Sequence, residues 1–107
     1  MKRIWKYELP GLTNNIEVPA GGIVRHVAAL PGCPPTLWIE VDPSQPLTER
    51  VFRTVATGSS VPDGTVYIGT ALLSDGTVWH VHEVADHQPL RSPARRAAVR
   101  PGSEATW

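Results

Sequence analysis

Proline and glycine set the limits on this chain. Eight of the eleven prolines and eight of the nine glycines lie in residues 1–84 and cut them into short runs. Between the breaks lie "RIWKYEL", "IEV", "GIVRHVAAL", "TLWIEV", "RVFRTVAT", "TVYIGTALL" and "TVWHVHEV". Each is rich in β-branched or aromatic residues and bounded by turn formers, which is the signature of a strand. No run carries the i, i+3, i+4, i+7 apolar spacing of a stable helix, and "PSQPLTER" offers one helical turn at most. The expected fold is all-β: a small sandwich or partly open barrel of about six or seven short strands. In "SDGT", Asp75 and Gly76 can both take the positive φ angles of a two-residue hairpin turn between the last two strands. "PAGG" and "PDGT" are weaker turns of the same kind.

The composition changes at Ala85. Residues 85–107 hold three prolines and four arginines, and only Leu90, Val99 and Trp107 are large and apolar. Such a segment buries too little surface to offset the entropy of ordering it. The chain therefore divides into a β domain, 1–84, and a flexible basic tail or oligomer arm, 85–107. Residues 1–84 carry six Lys/Arg against eight Asp/Glu, and the formal net charge of the whole chain is zero. No global field is available to hold duplex nucleic acid or an anionic membrane surface. Cys33 is the single cysteine, which excludes an intramolecular disulfide and fits a reducing cytoplasm. Lys6, Glu8 and Pro10 interrupt any leader-like apolar run near Met1, so no secretory signal and no membrane span is expected.

The residues that carry chemistry are few. His80 and His82 in "VWHVHEV" share one strand face, with Val78 and Val84, while Trp79, Val81 and Glu83 take the other. A zinc site needs three or four ligands, and the third would have to be His26, remote in sequence. The pair therefore reads as polar positions on a half-exposed face or as ligand-facing donors, and no metal or cofactor is expected. No nucleophile elbow, Walker loop, C-x-x-C or H-E-x-x-H occurs, so the chain does not read as an enzyme. Four tryptophans are many for this length; Trp5, Trp38 and Trp79 lie in strands, where they fill a core or offer a stacking platform. Trp5 and Tyr7 alternate onto one face. "FRTVATGSS" ends a strand in Thr57-Gly58-Ser59-Ser60, small residues able to present N–H and O–H groups to an anion. Arg53 beside them can add a charge-assisted contact.

Taken together, "IWKYEL", "VPAGGIVRHV", "LWIEVDP", "RVFRTVATGSS", "VYIGTAL" and "VWHVHE" resemble a widespread set of small bacteriophage proteins. That set has an N-terminal W-K-Y, a central L-W-x-x-V-D-P, a T-G, a Y-I-G-T and a closing V-W-H-V-x-E. The resemblance covers residues 4–83. In that set the T-G is often followed by histidine, where this chain has Ser59. The set is similar to phage anti-CBASS sponge proteins, which sequester the cyclic dinucleotide signal of a bacterial defence system without cleaving it. Such a protein would act in the cytoplasm of an infected bacterial cell. Because a domain this small has little room for a deep cavity, the site is expected between subunits of a homo-oligomer (dimer or tetramer), whose two-fold interface suits a ligand of two similar halves. Arg53, Thr57, Gly58 and Ser59 would contact phosphate or ribose, with Arg25 as a further phosphate partner. Tyr7, Trp38, Trp79 and His80 would stack on or border the bases. Two other classes stay open: a phage interaction module or virion accessory protein with no nucleotide ligand, and a metal enzyme using His26, His80 and His82.

Overall fold

The β-branched runs pair into two antiparallel sheets that pack face to face. A computed structural model of the chain describes residues 1–85; the expected tail, from 86 onward, lies outside the described residues. Seven strands follow in order: β1 (Arg3–Glu8), β2 (Thr13–Pro19), β3 (Ile23–Ala28), β4 (Thr36–Val41), β5 (Leu47–Ala56), β6 (Thr65–Leu72) and β7 (Val78–Val84). One sheet is ordered β1-β4-β3 and the other β2-β5-β7-β6. Neither closes on itself, so the fold is an open sandwich rather than a barrel, and no helix occurs among the described residues. The "PAGG" turn is bonded from Gly22 N–H to the Pro19 carbonyl and hands the chain from one sheet to the other between β2 and β3. It is a sheet-switching turn, not a hairpin.

Alternation explains the core. Leu37, Ile39 and Val41 of β4 point inward with Tyr7 of β1, Ile16 and Val18 of β2, Phe52 of β5 and Val81 of β7. These side chains fill the space between the two sheets, as in other aligned sandwiches. Arg50 lies on the same inward face of β5 and is tied to Glu83 of β7 by two bonds, Nε–Oε2 at 2.7 Å and Nη2–Oε1 at 2.8 Å. Its Nη1 donates to the Gly22 carbonyl at 2.7 Å, so one guanidinium clamps β5, β7 and the sheet-switching turn together.

Three local expectations change. "PSQPLTER" forms no helical turn; after a turn bonded from Gln45 N–H to the Asp42 carbonyl, Leu47–Arg50 extends β5, because Thr48 and Val18 pair across β2 and β5. Around "IEV" the strand is longer than the sequence suggested, Thr13–Pro19. Asn14, a poor strand former, is held there by side-chain bonds to the Gly11 carbonyl (2.8 Å) and the Phe52 carbonyl (3.3 Å). In the β6–β7 hairpin only Gly76 has positive φ (89°), and no non-glycine residue does. The turn closes from Gly76 N–H to the Leu73 carbonyl, and Asp75 serves it through its side chain instead, accepting from Thr77 N–H at 2.9 Å and Thr77 Oγ1 at 2.6 Å. Those bonds pull the Asp75 carboxyl below its ordinary pKa.

A bulge in β6 decides which of its side chains reach the outer face of the sheet. Tyr67 pairs with His82, but Gly69 pairs with Val81 and Thr70 with His80. Ile68 is therefore extra, and Tyr67 and Thr70, three apart, emerge on the same outer face as the histidines. Gly69 is turned inward, against Val27 of β3.

Candidate functional site

The outer face of the β2-β5-β7-β6 sheet carries the chemistry. On β7, His80 and His82 face outward opposite Val55 and Arg53 of β5. At the end of β5 the chain turns at Ala56–Ser59, closed from Ser59 N–H to the Ala56 carbonyl at 3.0 Å. Gly58 sits in the left-handed region there (φ 95°), a conformation that disfavours any side chain. Thr57–Ser59 are exposed, and the turn borders a cleft on either side.

On one side lies a cleft of about 330 Å³, lined by Val55, Thr57, Gly58, Tyr67, His80 and His82 among others. On the other, round the end of the sheet, lies a second cleft of about 280 Å³, which joins Arg53, Ser59 and Ser60 to Thr54 and Trp79 of the inward faces of β5 and β7. Val55, Ala56 and Ser59 border both. No Lys, Arg, Asp or Glu lines the first cleft among the described residues, so the only formal cation beside the turn is Arg53.

The polar groups of the first cleft form a chain. Thr57 Oγ1 lies 2.8 Å from His80 Nε2, His80 Nδ1 lies 3.1 Å from Thr70 Oγ1, and Thr70 Oγ1 lies 2.5 Å from Tyr67 OH. Both ring nitrogens of His80 are therefore engaged by hydroxyls. His82 differs: Tyr67 packs edge-on against its ring, centroids 5.5 Å apart at 70°, and its buried Nδ1 has no protein partner among the described residues. Part of the turn's donor capacity is also spent. Thr57 N–H donates to the Val78 carbonyl, and Ser59 N–H closes the turn, so the segment is not the open nest of N–H groups its sequence suggests.

Of the residues singled out in the sequence, Arg53, Thr57, Gly58, Ser59, Trp79 and His80 surround this turn. Three others lie elsewhere. Tyr7 is 1% exposed, its ring in the core, where burial pushes its hydroxyl pKa up to about 12. Trp38 is on the outer face of the opposite sheet, 7% exposed and packed on His26 at 5.6 Å. Arg25, also on that sheet, donates from Nε to Glu40 at 2.9 Å, a contact that draws the Glu40 carboxyl pKa down. Since β3 and β7 belong to different sheets, His26 does not join His80 and His82. Among the described residues no group of three His, Cys, Asp or Glu side chains is placed to hold a metal. Tyr67, which was not singled out in the sequence, completes the cleft beside His82, and Thr70 supports it through His80; the bulge that aligns Tyr67 and Thr70 leaves only "YIG" as a trace in the sequence.

Residues 1–92 match the profile of a domain of unknown function, DUF7352. The chain belongs to that family. No curated protein and no solved structure matches it. No helix of the described residues is long and apolar enough to cross a membrane.

Proposed function

We propose that this DUF7352 domain binds a cyclic dinucleotide and sequesters it intact, as a phage protein that blocks CBASS effector activation in the infected cell. The observation that carries the reading is the pair of clefts sharing the Ala56–Ser59 turn. A cyclic dinucleotide is two flat bases joined by a ring of two sugars and two phosphates. Its compact phosphate ring matches an exposed turn of Thr57, Gly58 and Ser59 with Arg53 beside it. Its bases match apolar hollows on either side, one bordered by Tyr67 and the other by Trp79. Each cleft falls near or below the lower end of the usual range for small-molecule sites, about 300–1,000 Å³. The pair together suits a ligand with two similar halves better than one with a single large body.

The reading includes self-association. Of the four sheet edges, β1 carries Arg3, Lys6 and Glu8, β2 carries Glu17 and Pro19, and β3 carries Arg25; β6 has no charged residue and no proline. Charges and prolines are the usual guards against edge pairing, so β6 is where a second copy would add. The exposed apolar side chains Val66, Tyr67 and Leu72 on that strand also favour a second reading, an interaction module with a protein partner and no nucleotide ligand.

A thermal-shift screen against cyclic di- and trinucleotides, with linear dinucleotides as controls, separates the two. A ligand at about 100 times its Kd adds roughly 2.7 kcal/mol to the native state, on the order of 10 °C for a domain of this size. A shift of that size with one cyclic species, recovered unchanged after denaturation, supports the sponge. Absence of any nucleotide-dependent shift refutes it and leaves the interaction module.

A further inference from the structure

The two outward histidines of β7 are not equivalent. His80 has a hydroxyl on each ring nitrogen, from Thr57 and Thr70, so its bonding is satisfied within the protein. His82 is 7% exposed, lines the first cleft, and leaves Nδ1 buried without a partner. Directly across the β5–β7 ladder stands Arg53, whose Nε is likewise buried and unpaired among the described residues. A buried donor with no acceptor costs stability that an apolar side chain of similar shape would not. Two such groups side by side, at the foot of the turn that divides the clefts, are a cost that a ligand can repay.

We infer that His82, rather than His80, is the ligand-reading histidine, and that it acts with Arg53 as a cross-strand donor pair for an acceptor oxygen of the ligand. The inference rests on the nucleotide reading above for the identity of that ligand. Tyr67 holds the His82 ring edge-on, so Nδ1 is oriented before the ligand arrives. Donation from Nδ1 requires the tautomer that carries its proton there. Arg53 Nε can only donate, so both groups call for an acceptor: a phosphate oxygen, or the O6/N7 edge of a guanine. His80 is a positioning residue, bridging Thr57 of the cleft lining to Thr70 of β6.

The test measures apo melting temperature and affinity together in the full chain. His82→Phe, His82→Asn, Arg53→Met and His80→Phe are compared with wild type against cyclic di-GMP, cyclic di-AMP and inorganic phosphate. His82→Phe and Arg53→Met are expected to leave the apo melting temperature unchanged or raise it by a few degrees, while weakening binding at least tenfold. His82→Asn, which keeps a polar atom near the place of Nδ1, is expected to recover part of that loss. His80→Phe is expected to change the apo melting temperature by no more than a few degrees, because Thr57 Oγ1 keeps the Val78 carbonyl and Thr70 Oγ1 keeps the Tyr67 hydroxyl. Equal losses with both cyclic dinucleotides assign the acceptor to phosphate; a loss confined to the guanine ligand assigns it to the base. A drop of about 5 °C or more in apo His82→Phe, or affinities within twofold of wild type, would overturn the inference even if nucleotides bind. If no nucleotide binds but phosphate stabilises the wild type and neither variant, the nucleotide reading falls and the donor pair stands. No response to any probe overturns both.

Discussion

Gly69 offers a sharp test of how the two sheets meet. A Cβ built on it would lie 2.6 Å from Val27 Cγ2 and 2.9 Å from Val27 Cβ, against about 3.5–4.0 Å for an ordinary carbon contact. Rotating the valine relieves the first clash but not the second, because Cβ is fixed to the β3 backbone. Strands β3 and β6 must therefore separate by roughly 1 Å, an overpacking cost of about 1–3 kcal/mol. Gly69 has no positive φ, so alanine fits the backbone and restricts the unfolded chain, returning about 0.4–1 kcal/mol. The net loss for Gly69→Ala is about 1.5 kcal/mol, or roughly 6–12 °C in melting temperature. Val27→Ala alone removes partly buried methyl groups and costs about 1 kcal/mol. It takes away the 2.6 Å contact and leaves the 2.9 Å one, so in the double variant the losses fall short of additive by about 1 kcal/mol. Urea unfolding of the four proteins with a common m-value gives the cycle directly. Additivity within about 0.3 kcal/mol, or a Gly69→Ala protein more stable than wild type, would refute this packing of β6 against β3.

The Tyr7 hydroxyl is buried with no partner among the described residues, so Tyr7→Phe is expected to match or exceed wild type at pH 7, by up to about 1 kcal/mol. Burial raises its pKa from 10.0 to about 12: the native state keeps a proton that the unfolded chain loses. Its contribution is complete below pH 10 and lost between pH 10 and about 12, with a slope approaching about 1.4 kcal/mol per pH unit. Denaturant unfolding across that window should be flatter for Tyr7→Phe. Glu83→Ala strands the half-buried Arg50 guanidinium and is expected to cost about 2–3 kcal/mol, below the range for a fully buried pair; Arg50→Met in the same chain should recover part of it, as chemical denaturation will show. For the β6 edge, sedimentation of wild type should show a dimer or larger species at micromolar concentration that Val66→Lys, an exposed substitution, reduces to monomer without loss of fold by circular dichroism; a monomeric wild type would refute the edge assignment.

The number of strands, their faces and most of the turns were legible in the sequence, because period-two alternation and Pro/Gly punctuation are local signals. "TLWIEV" shows how far that reaches: its alternation alone sends Leu37, Ile39 and Val41 inward and Trp38 outward. It does not say that the outward face is covered, and the burial of Trp38 against His26 comes from a neighbour strand. Tyr7 shows the complementary limit. An aromatic on a strand is equally fit for a core or a stacking platform, and only the opposite sheet decides. Around "YIGT" alternation misleads outright, since strict period two would place Tyr67 with Gly69 and turn Thr70 inward. The bulge reverses that. A glycine inside a strand is the one residue-level hint of such an irregularity.

The same bulge links fold to site. Turning Gly69 inward lets β6 approach Val27 closely enough to close that side of the sandwich. The extra residue also delivers Tyr67 to His82 and Thr70 to His80. A β6 without the extra residue would have to give up one or the other. With Gly69 inward in strict alternation, Tyr67 would also face the core and the cleft would lose its aromatic wall. With Tyr67 outward, Gly69 would leave its place opposite Val27 and a side chain would be forced into it. The irregular strand is thus the element on which packing and binding make a joint demand. Deleting Ile68 should therefore damage both stability and ligand binding, whereas Gly69→Ala, which leaves the register intact, should cost stability while largely sparing the cleft. Loss of binding in Gly69→Ala at a temperature where it is fully folded would show that the cleft depends on the spacing of β3 and β6, and not on the bulge alone.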